Sequence, residues 1–175
     1  VIIADVVGLG KSIIASAIAH NLNLPTLIIA PPHLKTQWED NYRYEFDLNA
    51  TVFSSGKLED PLNALSRMSH EGQKLIIIDE AHKFRNEETR DYDLLQKICQ
   101  GNKVMLLTAT PFSNRPHDVF SMIKLFQIPN KSTLQYAGNL SEEFRRLIKE
   151  YEELKKIQKK SEGSVKNKEK IKSKI

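Results

Sequence analysis

Gly8-Leu9-Gly10-Lys11-Ser12 sets two glycines, a lysine and a hydroxyl between an apolar run and a helix-like stretch. Glycines let backbone amides converge on an anion, a lysine reaches terminal phosphates as a compact cation, and a serine hydroxyl in this place is suited to ligate Mg²⁺. The strict eight-residue phosphate-loop pattern fails, because Asp5 stands where its first glycine belongs. An ordinary strand-to-helix turn is the competing reading. The second segment, Leu75-Ile76-Ile77-Ile78-Asp79-Glu80-Ala81-His82, is an apolar run that delivers two adjacent carboxylates at its end. Asp79 is suited to hold Mg²⁺, directly or through water, and Glu80 to orient and deprotonate a water attacking a γ-phosphate. Adjacent acidic residues also occur as plain helix caps, but Lys11 and Ser12 at the same sheet edge favour the chemical reading. A third segment, Leu106-Leu107-Thr108-Ala109-Thr110-Pro111, ends an apolar run with two hydroxyls. Thr108 and Thr110 are placed to hydrogen-bond the 79–82 loop, His82 included, and so to couple nucleotide state to another surface.

These segments need rigid elements behind them. Short β-rich runs at 1–4, 26–30, 50–53, 74–78 and 104–108 alternate with longer helix-like stretches, which is the βαβ rhythm of a mainly parallel sheet. Most of the runs are continuously apolar, so they are expected to be buried on both faces with helices on either side. Helices are predicted at 11–22, with Ile13, Ile14, Ala17 and Ile18 as the packing face, and at 34–44 and 88–99. Ser141-Glu142-Glu143 opens a charged, apolar-periodic helix through about residue 157, and 159–175 carries Gly163 and many lysines, so its order is left open. The expected organisation is a nucleotide-binding lobe over 1–128 and a helical insertion or linker with a basic tail over 129–175.

With 175 residues, 40% of them hydrophobic, the chain suits one domain, and its apolar runs are far shorter than the roughly 20 residues that a membrane span needs. A membrane partner is therefore not expected. The net charge of +4 is uneven: from Lys155 onward nine lysines face two glutamates. Those lysines suit either a solvated tail or a surface approached by nucleic acid. Cys99, the single cysteine, points to a buried structural thiol and a reducing, cytoplasmic location. His20, His33, His70 and His117 lack metal-ligand spacing, and one cysteine provides no zinc framework, so no structural metal is expected.

The order and wording of the three segments, a GKS loop, a DEAH box and a TAT motif, resemble those of the Swi/Snf-related helicase-like ATPases of superfamily two. That family writes its first motif as an acidic residue, two or three more residues, then Gly-Leu-Gly-Lys-Thr; Asp5 to Ser12 fits it, with serine for threonine and Val6 where a second acidic residue is common. Further agreement comes from Ile29-Ala30-Pro31-Pro32 followed by Gln37-Trp38, from Lys83 and Asn86 after the DEAH box, and from Thr110-Pro111-Phe112-Ser113-Asn114 leading into Asp118-Val119-Phe120-Ser121. The resemblance covers about residues 1 to 128. It implies a RecA-like three-layer α/β sandwich, the first lobe of a motor that binds ATP and Mg²⁺ through Gly8, Leu9, Gly10, Lys11, Ser12, Asp79 and Glu80. A second lobe of the same parent chain supplies arginines for the transition state, and the usual partner is double-stranded DNA, translocated without full strand separation. The resemblance also points to DNA contacts at Pro31, Gln37, Trp38, Asn114 and Arg115, although Trp38 on an apolar-periodic helix equally reads as core. Without the second lobe's arginine, worth roughly 10³ to 10⁵ in rate at related sites, slow hydrolysis by this chain is expected. An RNA helicase or restriction-type translocase, and a nucleotide-gated binding module, are the competing functions; intact Lys11, Asp79 and Glu80 argue against the last.

Overall fold

Thr26–Ala30 and Leu75–Ile78 contain no alternation of polar and apolar residues, so neither is stable unless covered on both sides. In the computed structural model, which describes residues 1–4, 8, 10–68, 72–110, 116–132 and 139–172, both lie inside a five-stranded parallel sheet. The strands are β1 (Ile2–Ala4), β2 (Thr26–Ala30), β3 (Ala50–Ser54), β4 (Leu75–Ile78) and β5 (Lys103–Thr108), in the order β1-β5-β4-β2-β3. Their expected bounds hold to within one residue. The two edge strands are less covered: no residue of β1 is buried, and β3 is buried only at Ala50 and Val52.

Right-handed crossovers then decide which helix covers which face. The chain steps one way across the sheet from β1 to β2 to β3, carrying α1 (Lys11–Leu22) and the α2 segment (Pro32–Gln37) to one side. It steps back from β3 to β4 to β5, carrying α4 (Glu59–Arg67) and α5 (Arg90–Cys99) to the other. The core divides accordingly. Ile28, Ile77, Met105 and Leu107 pack with Ala15, Ala19, Trp38 and Leu48, whereas Leu27, Ile29, Ile76, Ile78 and Leu106 pack with Leu58, Tyr92, Leu95 and Ile98. Cys99 belongs to the second layer, and burial pushes its thiol up to about 12, the behaviour of a structural cysteine.

The packing face of α1 differs from the expected one. Ala15, Ser16 and Ala19 are buried, whereas Ile13 and Ile14 are 50% and 47% exposed and Ile18 and Leu22 are also exposed. Small residues let the helix backbone lie close against the sheet, and the loop before it sets which side faces inward. The helix expected over 34–44 runs as α2, a π-helical turn at Trp38–Tyr42 and α3 (Arg43–Glu45). α4 and α6 (Pro116–Lys124) had no counterpart among the predicted helices. α7 (Leu140–Lys172) is longer than predicted; its 33 residues extend roughly 50 Å, because a single interior glycine, Gly163, costs only about 1 kcal/mol. Among the described residues no helix is long and apolar enough to cross a membrane.

The base of α7 docks on α6 through stacked Phe120 and Phe144 rings 4.5 Å apart. α6 is in turn pinned to the segment after β4 by Glu87, which accepts from Ser121 Oγ at 2.5 Å and from Lys124 Nζ. Partial burial raises the affinity of Glu87 for its proton, but the hydrogen bonds from Lys124 and Ser121 and the nearby positive charges outweigh it, leaving its pKa below the ordinary glutamate value. A depressed folded-state pKa contributes stability that is present above the unfolded value and is lost as pH falls through the folded one. Glu87→Gln is therefore expected to lower stability at pH 7 by about 1 kcal/mol, roughly 2–4 °C in the unfolding midpoint, with the deficit shrinking as pH falls below the ordinary glutamate range. Thermal unfolding of both proteins across that range checks it; a deficit independent of pH would assign Glu87 a packing role only.

Candidate functional site

The carboxyl edge of the sheet collects the chemically distinctive residues, and each reaches it for a local reason. Gly10 caps α1 in the left-handed region at φ 74° and ψ 23°, and Gly8 has φ 89°. A Cβ at Gly8 would meet nothing within 4 Å, so the requirement for glycine there is conformational rather than steric. α1 begins directly after this turn with Lys11 and Ser12, has no side-chain cap and has no acidic residue in its first turn. Its amino-terminal amides and Lys11 thus form a site suited to an anion.

β4 ends at Ile78, and the chain turns sharply. Glu80 adopts φ 53° and ψ 45°, a left-handed conformation that costs a non-glycine residue about 1–3 kcal/mol and persists only where the surroundings enforce it. A 3₁₀ turn, Ala81–Phe84, follows. Asp79 is 6% exposed, and both its oxygens are engaged: Oδ1 accepts from the Glu80 amide and Oδ2 from the Trp38 indole N–H, each at 2.9 Å. The Asp79 amide donates to the Ile29 carbonyl at 2.9 Å, tying this corner to β2.

β5 runs between β1 and β4, with Ala4 paired to Thr108 and Ile78 to Leu106. Two strand spacings, about 10 Å, therefore separate the strand leading to the glycine loop from the strand ending in the carboxylates. The two residues by which β5 outruns β4 bring Thr108, fully buried, beside His82. His82 Nδ1 lies 3.1 Å from Glu80 Oε2 and 3.3 Å from Thr108 Oγ1, and the Thr110 amide donates to Thr108 Oγ1 at 3.2 Å. A protonated Nδ1 donates to the carboxylate; an unprotonated one accepts from the threonine hydroxyl. Glu80, His82, Thr108 and Thr110 form one connected chain.

Mg²⁺ fits this donor set. Among the described residues no group of three or more His, Cys, Asp or Glu side chains could hold a metal without help. One carboxylate and one hydroxyl, Asp79 and Ser12, completed by phosphate oxygens, is how Mg²⁺ is commonly held beside a nucleotide. A cavity of about 540 Å³ lined by Gln73, Gln100, Asn102 and Phe126 lies near the starts of β4 and β5, at the opposite edge of the sheet.

Two of the residues expected to contact DNA are buried. Pro31 is buried, and Trp38 is 1% exposed, packed in the α1-side core, so neither offers a surface to a base. Gln37 is exposed and donates through Nε2 to the Tyr42 hydroxyl at 3.1 Å. Leu9, Asn114 and Arg115 lie outside the described residues, as do Asp5, Val6 and 111–113. The partnership of Trp38 with Asp79 was not anticipated; 41 positions separate them, and no local pattern in the chain connects them.

An uncharacterized ATP-dependent helicase of Bacillus subtilis, YqhH, is 29% identical over 144 residues, covering 72% of this chain and 26% of that protein. A SWI/SNF-related matrix-associated actin-dependent regulator of chromatin subfamily A-like protein 1 homolog of Caenorhabditis elegans is 30% identical over 146 residues, covering 71% and 21%. The chain thus spans about a quarter or less of these relatives. The Sulfolobus solfataricus SWI2/SNF2 ATPase core, solved in complex with dsDNA, superposes with a TM-score of 0.52 at 22% identity over 81% of this chain and 33% of that one, a likeness of fold. The profile of the SNF2-related domain matches residues 62–172, from within α4 through α7 and more than half of the chain, and this establishes that the chain belongs to the SNF2-related domain family.

Proposed function

We propose that this chain is the ATP-binding lobe of a double-stranded DNA translocase, with residues 1–128 forming the nucleotide-binding unit and 129–175 an arm built on it. The observation that carries the reading is that Gly8, Gly10, Lys11 and Ser12 follow β1, and Asp79 and Glu80 follow β4, at the same edge of a parallel sheet on either side of β5. The SNF2 core solved with dsDNA supports the choice of partner.

In this reading the α1 amides and Lys11 bind the β- and γ-phosphates, and Ser12 and Asp79 hold Mg²⁺, which supplies charge neutralisation across the phosphate oxygens. Glu80 orients the attacking water and takes its proton. Its contact with His82 fixes the carboxylate. Thr108 and Thr110 link that loop to the chain leading to Asn114 and Arg115, and Gln37, in the separate segment after β2, is the described surface candidate for nucleic acid. A second lobe supplies the arginines, so the 175-residue chain alone turns over slowly.

The test is the ATPase rate of the full-length protein with no nucleic acid, duplex DNA, single-stranded DNA or RNA, measured for wild type and Thr108→Val. Stimulation chiefly by duplex DNA, with at least a roughly tenfold loss of that stimulation and unchanged ATP affinity in the variant, is the expected result; a tenfold effect corresponds to about 1.4 kcal/mol of coupling. Preference for RNA or single strands would overturn the choice of track. Full duplex stimulation in Thr108→Val would overturn the coupling role.

A further inference from the structure

Trp38 is the sole tryptophan of the chain, and its indole N–H is spent on a carboxylate rather than on a backbone carbonyl or solvent. The bond is buried at both ends and spans two elements that share no sequence neighbourhood. Asp79 could be satisfied by the Glu80 amide and its metal alone, so a second, aromatic donor on the other oxygen requires its own explanation.

The local structure is built around this contact. At Trp38 the helix after β2 changes to a π turn, in which the Arg43 amide bonds back to the Trp38 carbonyl, five residues away. Such insertions are rare and weaken the helix, and they persist where they redirect a side chain. The indole plane is held by Tyr42, edge-on at 5.1 Å and 63°, and Tyr42 is itself held at its hydroxyl by Gln37. The far end is equally fixed, since Asp79 is anchored to β2 through the Ile29 carbonyl, nine residues before Trp38. β2, the π turn and the end of β4 therefore close a small ring, and the Trp38–Asp79 bond is its last link.

We infer that Trp38 is a positioning residue for the metal carboxylate: its N–H holds Asp79 Oδ2, so that the carboxylate presents its remaining lone pairs in one orientation to Mg²⁺. The inference rests on the assignment of Asp79 to the metal made above. A carboxylate pinned at one oxygen is free to rotate about its last bond and to turn those lone pairs away; pinned at both, it is not. Loss of such an outer partner typically costs 10- to 100-fold in metal affinity.

The experiment replaces Trp38 with 3-benzothienylalanine, which keeps the shape of the bicyclic ring and has sulfur where the N–H was; Trp38→Phe is the encoded counterpart. Binding of a fluorescent ATP analogue to the full-length protein is measured against Mg²⁺ concentration and again in EDTA. The expected result is a roughly 10- to 100-fold rise in the Mg²⁺ concentration at half-effect in both variants, with metal-free nucleotide binding unchanged in the isostere. That metal-free binding also reports a folded site, so a Trp38→Phe chain that fails to fold leaves the isostere to decide. An isostere with wild-type Mg²⁺ dependence overturns the inference. Asp79→Asn separates the two levels: if it leaves the Mg²⁺ dependence unchanged, the metal assignment itself falls, whereas a large effect there with none in the isostere removes Trp38 alone.

Discussion

Glu80→Gln in the full-length protein is expected to lower the nucleic-acid-stimulated kcat by about 10² to 10⁴ while leaving ATP binding intact, the loss typical of removing a general base. Glutamine keeps the length and an oxygen at the position that faces His82 Nδ1, 3.1 Å away in the native protein, so the loop and its left-handed turn are retained. What disappears is the capacity to take a proton from water. The expected phenotype is a trapped ATP complex, seen as stable retention of radiolabelled ATP with little phosphate release. A passive nucleotide-gated binder would show no such change, because nothing in its cycle depends on that proton. Unaltered turnover in Glu80→Gln would therefore remove the catalytic assignment and return the chain to the binding-module reading.

The second large effect is on folding. Ile77 is fully buried at the centre of β4, paired with Ile28 on β2 and Met105 on β5, beneath the α1 layer that carries the glycine loop. Truncation to alanine removes three carbons from a site walled by regular strands on both sides, where relaxation into the void is limited. The expected cost is about 2–5 kcal/mol, which is a large share of the roughly 5–15 kcal/mol by which a domain is stable. Denaturant unfolding followed by circular dichroism measures it. A loss below about 1 kcal/mol would mean that the α1 layer closes over the gap and that the packing between α1 and the sheet is looser than its small residues indicate.

The strands were readable because their signal is local. A parallel strand buried on both faces must be apolar throughout, so Thr26–Ala30 and Leu75–Ile78 announce themselves without reference to neighbours. The glycine loop and the Asp79-Glu80 pair were readable for a related reason: both lie where a strand ends, and in this class of sheet all strands end at the same edge. That the loop after β1 and the loop after β4 lie on either side of the end of β5 is a matter of strand order, which the handedness of crossovers does not fix and only the folded sheet decides.

Periodicity misled at α1. Ile13, Ile14 and Ile18 are the most hydrophobic residues of the helix, yet the side that meets the sheet is the one with Ala15, Ser16 and Ala19. Hydrophobicity states a preference for burial, but the azimuth of a helix is set by the turn that launches it and by how near its axis must come to the strands. The left-handed Gly10 launches α1 with its small residues inward. Similarly, an indole at position 38 suits either a core or a nucleic-acid surface when read along the chain; the π turn and the carboxylate 2.9 Å away resolved it to the core.

Composition and spacing were thus enough for the layer architecture and for the sheet edge to which Lys11, Asp79 and Glu80 are brought, since each follows from rules that act over a few adjacent positions. The partners of those residues were decided in three dimensions. Trp38 on Asp79 and Glu87 against Lys124 join positions 41 and 37 apart, and such pairings depend on strand register and helix azimuth, which arise only when the layers pack.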